Sequence, residues 1–202
     1  MKLYYATGAC SLAVHIVINE LNLPCEYESV DLHTKKTKTG VNFLEINPKG
    51  EVPTLVLDNG QVLTENAVIQ QYLADQHPSP LLPNKEDFRH YRVLEWLNFV
   101  STDIHKGFGP LFSSDVPQAL KESLFIPNIK KKFAYVDQQL ANNTFLTGNE
   151  FALPDGYNFV LLTWLKPLKV DLAQWPNITR FFNAVKARPA VHKSLEEEGI
   201  KL

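Results

Sequence analysis

Cysteine is scarce in this chain, and that scarcity excludes a class. There are two, Cys10 and Cys25, with no Cys-x-x-Cys and no paired framework. A disulfide-stapled secreted scaffold is therefore excluded, and a reducing, cytoplasmic setting is expected. No apolar run approaches the ~20 residues of a membrane span, so no membrane partner is expected. Charge of one sign is also missing: 20 Lys and Arg stand against 22 Asp and Glu, for a net charge of −2. Nothing there suggests a nucleic acid or an anionic surface as partner. A glycine-rich phosphate loop, internal repeats and low-complexity tracts are absent as well. The opening MKLYYA reads as a strand and carries no long apolar core of a signal peptide. What remains is a chain of 202 residues, enough for one large domain or two small ones, each with a real core.

The stretch around which the rest is organised is Asn47–Asn66, NPKGEVPTLVLDNGQVLTEN. Two short apolar runs, Thr54 to Leu57 and Gln61 to Leu63, are joined across Asp58-Asn59-Gly60. Asn and Gly tolerate the positive φ of a tight turn, so the pattern predicts a β-hairpin. Pro53 removes a donor at the start of the first strand, which leaves the preceding peptide free to pair with something else. A cis Val52-Pro53 bond is compatible with this, although trans is the commoner form. The hairpin leads into Thr64-Glu65-Asn66 and a helical pattern. Backbone N–H groups at a helix start point outward and suit an anion. An extended peptide with a carboxylate would lie along Val52 and end at Asn66.

Upstream, residues 2–6 read as a strand and Thr7-Gly8-Ala9 as a turn. Ser11 is expected to cap a helix running from Leu12 to about Leu21, whose apolar residues are too dense for an exposed helix. Tyr27 to Val30 alternates as a second strand. Strand, buried helix and strand make a βαβ unit, hence a parallel pair. His33 to Gly40 is a basic, Thr-rich loop, and a short helix near residues 41–46 precedes Asn47. His77-Pro78-Ser79-Pro80 and Pro83-Asn84 mark a linker. From Asp87 onward the patterns are helical. Phe88, Tyr91, Leu94, Leu97, Val100 and Ile104 form one side of a long helix. A second runs from about Gln118 to Leu140, with a bend expected at Pro127. Residues 154–166 are apolar nearly all round and predict the central buried helix. Asn177 is expected to cap a further helix, and residues 190–197 form the last.

Cys10 precedes a helix N-terminus, whose partial positive charge favours thiolate over thiol. The plain alternative is a buried, inert cysteine. Cys25 reads as structural. On the long helix Asn98, Thr102 and His105, at i, i+4 and i+7, predict one polar stripe among apolar neighbours. A lone helical His is usually a satisfied core or surface residue; a stripe facing a cleft needs partners there. Tyr4 and Tyr5 are more simply core residues than hydroxyl donors.

Taken together, Cys10-Ser11, the 47–66 block and His105-Lys106-Gly107-Phe108 resemble the cytosolic glutathione S-transferases, and among them the bacterial beta class. The resemblance spans essentially the whole chain. It implies a thioredoxin-like α/β domain over residues 1–80 and an all-helical domain over 87–202 that carries the electrophile site. The activity it implies is attack of the glutathione thiolate on hydrophobic electrophiles, with glutathione as co-substrate, no metal, and a homodimer. A lone thiol at Cys10, with Ala13 where a redox motif would hold its second cysteine, suits a mixed disulfide with glutathione. His105 would stabilise the thiolate, and Ser11 is the nearer hydroxyl candidate. By the same resemblance Glu65 meets the γ-glutamyl ammonium, the Asn66 N–H its carboxylate, Val52 the cysteinyl main chain, and Lys35 the glycyl carboxylate. Lys36 and Lys38 are close alternatives to Lys35. Thr102, Asp103 and Ile104 complete the binding set beside His105, and Asn98 and Asp103 reach across a dimer interface. Phe108, Pro110, Leu111 and Phe112 are expected to line the electrophile site. The picture is one of a tripeptide extended beside Val52, its sulfur next to Cys10 and within range of His105. Two other readings stay open: a glutathione-dependent thiol–disulfide transferase or peroxidase working through Cys10, and a non-catalytic binding protein of the same fold. The chain departs from the family at the central helix, where Ala152 stands at the cap position usually held by Ser or Thr.

Overall fold

Residues 1–202 are described by a computed structural model. Its sheet has five strands, β1 (Lys2–Tyr5), β2 (Glu26–Asp31), β3 (Lys36–Thr37), β4 (Thr54–Val56) and β5 (Val62–Thr64), in the order β3-β2-β1-β4-β5. β1 and β2 run parallel and are joined by α1 (Ser11–Glu20), the βαβ unit that the apolar pattern predicted. β4 and β5 form the predicted antiparallel hairpin, with Leu55 opposite Leu63 and Gly60 at φ 81° in its turn. Hydrophobic alternation places Leu3 and Leu55 side by side in the sheet and fully buried. The basic loop contributes a strand that its composition did not announce. β3 pairs antiparallel with β2, Val30 opposite Thr37, and the Thr37 side chain is buried there. Glu28 of β2 accepts from the Thr39 hydroxyl, which fastens the loop's far side. Phe43–Glu45 is a 3-10 turn and α2 (Asn66–Gln76) comes after the hairpin.

Two compact units emerge: Met1–Leu82 with Ala187–Leu202, and Pro83–Lys186. The division differs from the sequence-based one at the C-terminus. The last helix, α9 (Pro189–Glu197), belongs with the first unit, because polar side chains bind it to α1. His15, fully buried in α1, sets Nε2 2.7 Å from Glu197 and Nδ1 3.1 Å from Glu198, and stacks on Tyr27. Asn19 donates to Ser194 and Glu197, and Arg188 meets Glu20 with two nitrogens. Such a bidentate fork fixes orientation as well as adding energy.

The second unit is helical: α3 (Phe88–Phe99), α4 (Lys106–Phe112), α5 (Gln118–Leu120), α6 (Ile126–Gln139), α7 (Leu153–Thr163) and α8 (Pro176–Lys186). Two π-helical turns interrupt the long patterns, Val100–His105 before α4 and Lys121–Phe125 before α6. The second lies just before Pro127, whose missing N–H cannot bond back to the preceding turn of the continuous helix. α7 is the predicted central helix, buried from Leu153 to Leu162. The expected Asn177 cap is replaced. α8 begins at Pro176, and Asp137 of α6 accepts from the Ile178 N–H and the Asn177 amide. No helix is long and apolar enough to cross a membrane.

At the head of α7, Asp155 accepts from the Ala152 N–H at 2.8 Å, the incoming half of a capping box. Ala152 has no oxygen to return the bond. Ala152→Ser supplies it and should stabilise by about 0.5–2 kcal/mol. The corresponding thermal midpoint rises by about 2–4 °C per kcal/mol in a chain of this size; an unchanged or lower midpoint would contradict this account of the cap.

Candidate functional site

In the first unit the thiol sits where strand becomes helix. Cys10 is the N-cap residue of α1, not Ser11 as expected, and its side chain is buried at 9% exposure. Its Sγ–H donates to the Val52 carbonyl at 3.3 Å. Ser11, expected as a hydroxyl candidate for catalysis, is engaged with the turn before it. Its hydroxyl is fully buried and exchanges bonds with Ala6, accepting from the N–H at 3.2 Å and donating to the carbonyl at 3.3 Å. Residue 11 lies one step inside the helix and points back at β1, so it braces the turn. Tyr4 is buried and Tyr5 half-buried, and burial pushes both phenol pKa values up. Burial also drives the Cys25 thiol up to about 11, which leaves it protonated and inert.

The segment opposite Cys10 is built by Asn47. Its amide donates to the Glu51 carbonyl and the Thr54 hydroxyl, and its oxygen accepts from the Lys49 N–H. These bonds shape residues 47–54 and present Val52, ahead of a cis Pro53, to the thiol. Lys35 donates from Nζ to the Gly50 carbonyl at 2.8 Å, and its stem lies against Gly50. A side chain at position 50 would collide there, and φ 64° already favours glycine.

Glu65 and Asn66 open α2. Glu65 takes φ 72°, unusual for a residue with a side chain, and its exposed carboxylate lies 2.7 Å from Lys49 Nζ. It makes no side-chain cap, so the ordinary capping explanation is excluded. Asn66 is the first residue of the helix, where backbone N–H groups have no helical partner. Its side chain was not foreseen: Nδ2 donates to the Cys10 carbonyl at 2.6 Å, and Gln70 holds its Oδ1. Asn66 thereby pins the backbone of the thiol residue from 56 positions away. A second unforeseen anchor is Glu198, whose Oε2 accepts from the Gly8 N–H in the same turn. A polar helix start and a Glu-rich C-terminus were the available signals; neither names its partner.

In the second unit the predicted stripe does not survive. His105 is the last residue of the π turn Val100–His105, where the regular 3.6-residue repeat does not hold. Asn98 and Thr102 remain together on the exposed side, with the Thr102 hydroxyl donating to the Asn98 carbonyl. His105 turns inward instead. Its Nδ1 lies 2.6 Å from the Tyr157 hydroxyl, and the Trp164 ring meets it edge-on. Burial, helped by the Lys106 charge, pushes its pKa down to about 4, so the ring is neutral at neutral pH. Asp103 pairs with Lys132, whose hydrogen bond holds the carboxyl below its ordinary range. The Ile104 side chain is fully buried in the core, as the apolar spacing predicted. Phe108 and Leu111 are likewise core, whereas Phe112 is half exposed and packs on Phe108 and Trp164.

Comparison with known proteins adds a separate line. A model of the glutathione S-transferase N-terminal domain matches residues 7–76, and one of the C-terminal domain matches residues 99–189. Glutathione S-transferase GstA of Escherichia coli O157:H7 is 40% identical over 202 residues, all of both chains. A glutathione transferase structure from Methylococcus capsulatus superposes with a TM-score of 0.95 at 48% identity, covering 98% of each chain. A sphingomonad glutathione S-transferase solved with glutathione gives 0.94 at 39% identity, covering 100% of each.

Proposed function

We infer that this chain, which belongs to the glutathione S-transferase family, activates glutathione in the groove between Cys10, Val52 and the head of α2. The protein is a glutathione transferase with glutathione as its co-substrate. In our reading the tripeptide lies extended along Val52, whose main chain pairs with the cysteinyl residue. Glu65 takes the γ-glutamyl ammonium, the Asn66 N–H takes the neighbouring carboxylate, and Lys35 takes the glycyl carboxylate. Cys10 attends the sulfur, and His105 is assigned the role of a neutral hydrogen-bond donor that stabilises developing thiolate. Catalysis then comes from a lowered thiol pKa and from holding the thiolate beside a hydrophobic electrophile. Phe112, exposed and backed by Trp164, is the aromatic surface we assign to that electrophile. Asn98, Thr102 and Asp103 are assigned to contacts across a homodimer, and the site of action is the cytoplasm.

The observation that carries this reading is the pair of bonds on Cys10: its thiol to the Val52 carbonyl and its own carbonyl to the Asn66 amide. Together they fix a sulfur beside an extended main-chain edge. Glu65→Gln tests the tripeptide's orientation. Removing one charge-assisted bond costs about 1.5–3 kcal/mol, so KM for glutathione should rise at least tenfold with kcat nearly unchanged. Steady-state kinetics with an aryl halide reads this. An unaltered KM contradicts the orientation, and no retention on immobilised glutathione contradicts the groove.

A further inference from the structure

The transferase reading uses His105 but leaves open which ring nitrogen carries its proton. Tyr157, on α7, is 1% exposed, and its hydroxyl is 2.6 Å from His105 Nδ1. The two rings stand at 70° with centroids 5.6 Å apart, which aims the phenol oxygen at the edge of the imidazole. A phenol is the better donor of the two, and an unprotonated imidazole nitrogen the better acceptor. The direction O–H to Nδ1 is therefore favoured, and it is strengthened where water is excluded. A neutral imidazole has a single proton, so an Nδ1 that accepts leaves that proton on Nε2. Burial and Lys106 keep the ring in this neutral form. Lys106 on its own helical segment and Tyr157 on α7 are the titratable groups that act on it; Trp164, edge-on at 5.2 Å, does not titrate.

We propose that Tyr157 is a positioning residue that fixes the tautomer of His105, so that the ring presents Nε2–H as the hydrogen-bond donor that the transferase reading assigns to it. The kinetic half of this rests on the transferase reading; the tautomer itself does not. Tyr157 is the partner of Nδ1, and the contact joins two segments 52 positions apart. Sequence spacing on the long helix carried no hint of it, because the partner lies on another helix.

Nitrogen NMR of protein labelled at its histidines decides the tautomer in the free chain. Wild type should show Nδ1 unprotonated and Nε2 protonated, and Tyr157→Phe should show a mixture of the two forms. A protonated Nδ1 in wild type overturns the proposal, as does a spectrum that Tyr157→Phe leaves unmoved. In conjugation of an aryl halide, Tyr157→Phe should lower kcat about fivefold, the worth of one net hydrogen bond, with KM for glutathione unchanged. In a His105→Gln background the same change should cost nothing further, because Tyr157 acts through the ring. An equal loss in both backgrounds overturns the proposal in favour of a packing role. A protein with no glutathione turnover at all defeats the transferase reading, while the nitrogen spectrum still decides the tautomer.

Discussion

Cys10→Ala should abolish thiol–disulfide exchange and leave conjugation to an aryl halide within about tenfold of wild type. The two reactions use different sulfurs. In exchange, the Cys10 thiolate attacks glutathione disulfide, forms a protein–glutathione disulfide and expels glutathione thiolate; without residue 10 there is no attacking atom. In conjugation the attacking sulfur belongs to glutathione, and Cys10 contributes one neutral hydrogen bond, worth about 1 kcal/mol, or roughly fivefold. Cys10 is placed for either role, because its Sγ already donates to the Val52 carbonyl at 3.3 Å. Rates of both reactions on the same variant check the point. Loss of conjugation by a factor of 10³ or more, an order far beyond a single neutral bond, would show that the protein thiol is part of the transfer itself.

Asp155→Ala should be the most destabilising single change in the helical unit. The carboxylate is fully buried, and its two oxygens accept from two backbone N–H groups, Leu146 and Ala152, each at 2.8 Å. Truncation removes two charge-assisted bonds and strands both donors away from water. The expected cost is about 3–5 kcal/mol. At about 2–4 °C per kcal/mol the midpoint should fall by roughly 10 °C. Asp155→Asn keeps one acceptor but turns an amide N–H toward the other donor, so it should fall between. Thermal unfolding followed by circular dichroism reads all three proteins, and an Asp155→Ala midpoint within a degree or two of wild type would contradict the assignment.

These two residues illustrate what a sequence can reveal. The cap position at Ala152 was legible because a helix cap is a local device, and Asp155 meets it from three positions away. The hairpin was legible for the same reason, since Asn59-Gly60 encodes its own turn. The βαβ unit and the central helix were legible from the density of apolar residues. Long-range polar contacts were not legible. Asn66 reaching Cys10, Glu198 reaching Gly8 and Tyr157 reaching His105 join residues 56, 190 and 52 positions apart, and nothing in a composition or a period encodes such a pair. The π turn bears on one further misreading. A helix assumed to repeat every 3.6 residues puts His105 in line with Asn98 and Thr102. The π turn at Val100–His105 departs from that repeat, whereas Ile104 is buried where the apolar spacing through Leu97 and Val100 put it. Ser11 was misassigned by one position, enough to turn a helix cap into a buried brace.

The central claim is that one cysteine faces a glutathione groove and the other does not. Intact mass after incubation with glutathione disulfide, followed by peptide mapping, tests it most directly. The account predicts a single glutathione adduct on Cys10, lost on reduction and absent from Cys10→Ala, with Cys25 unmodified behind a thiol pKa of about 11. An adduct on Cys25, or none on Cys10, would contradict it.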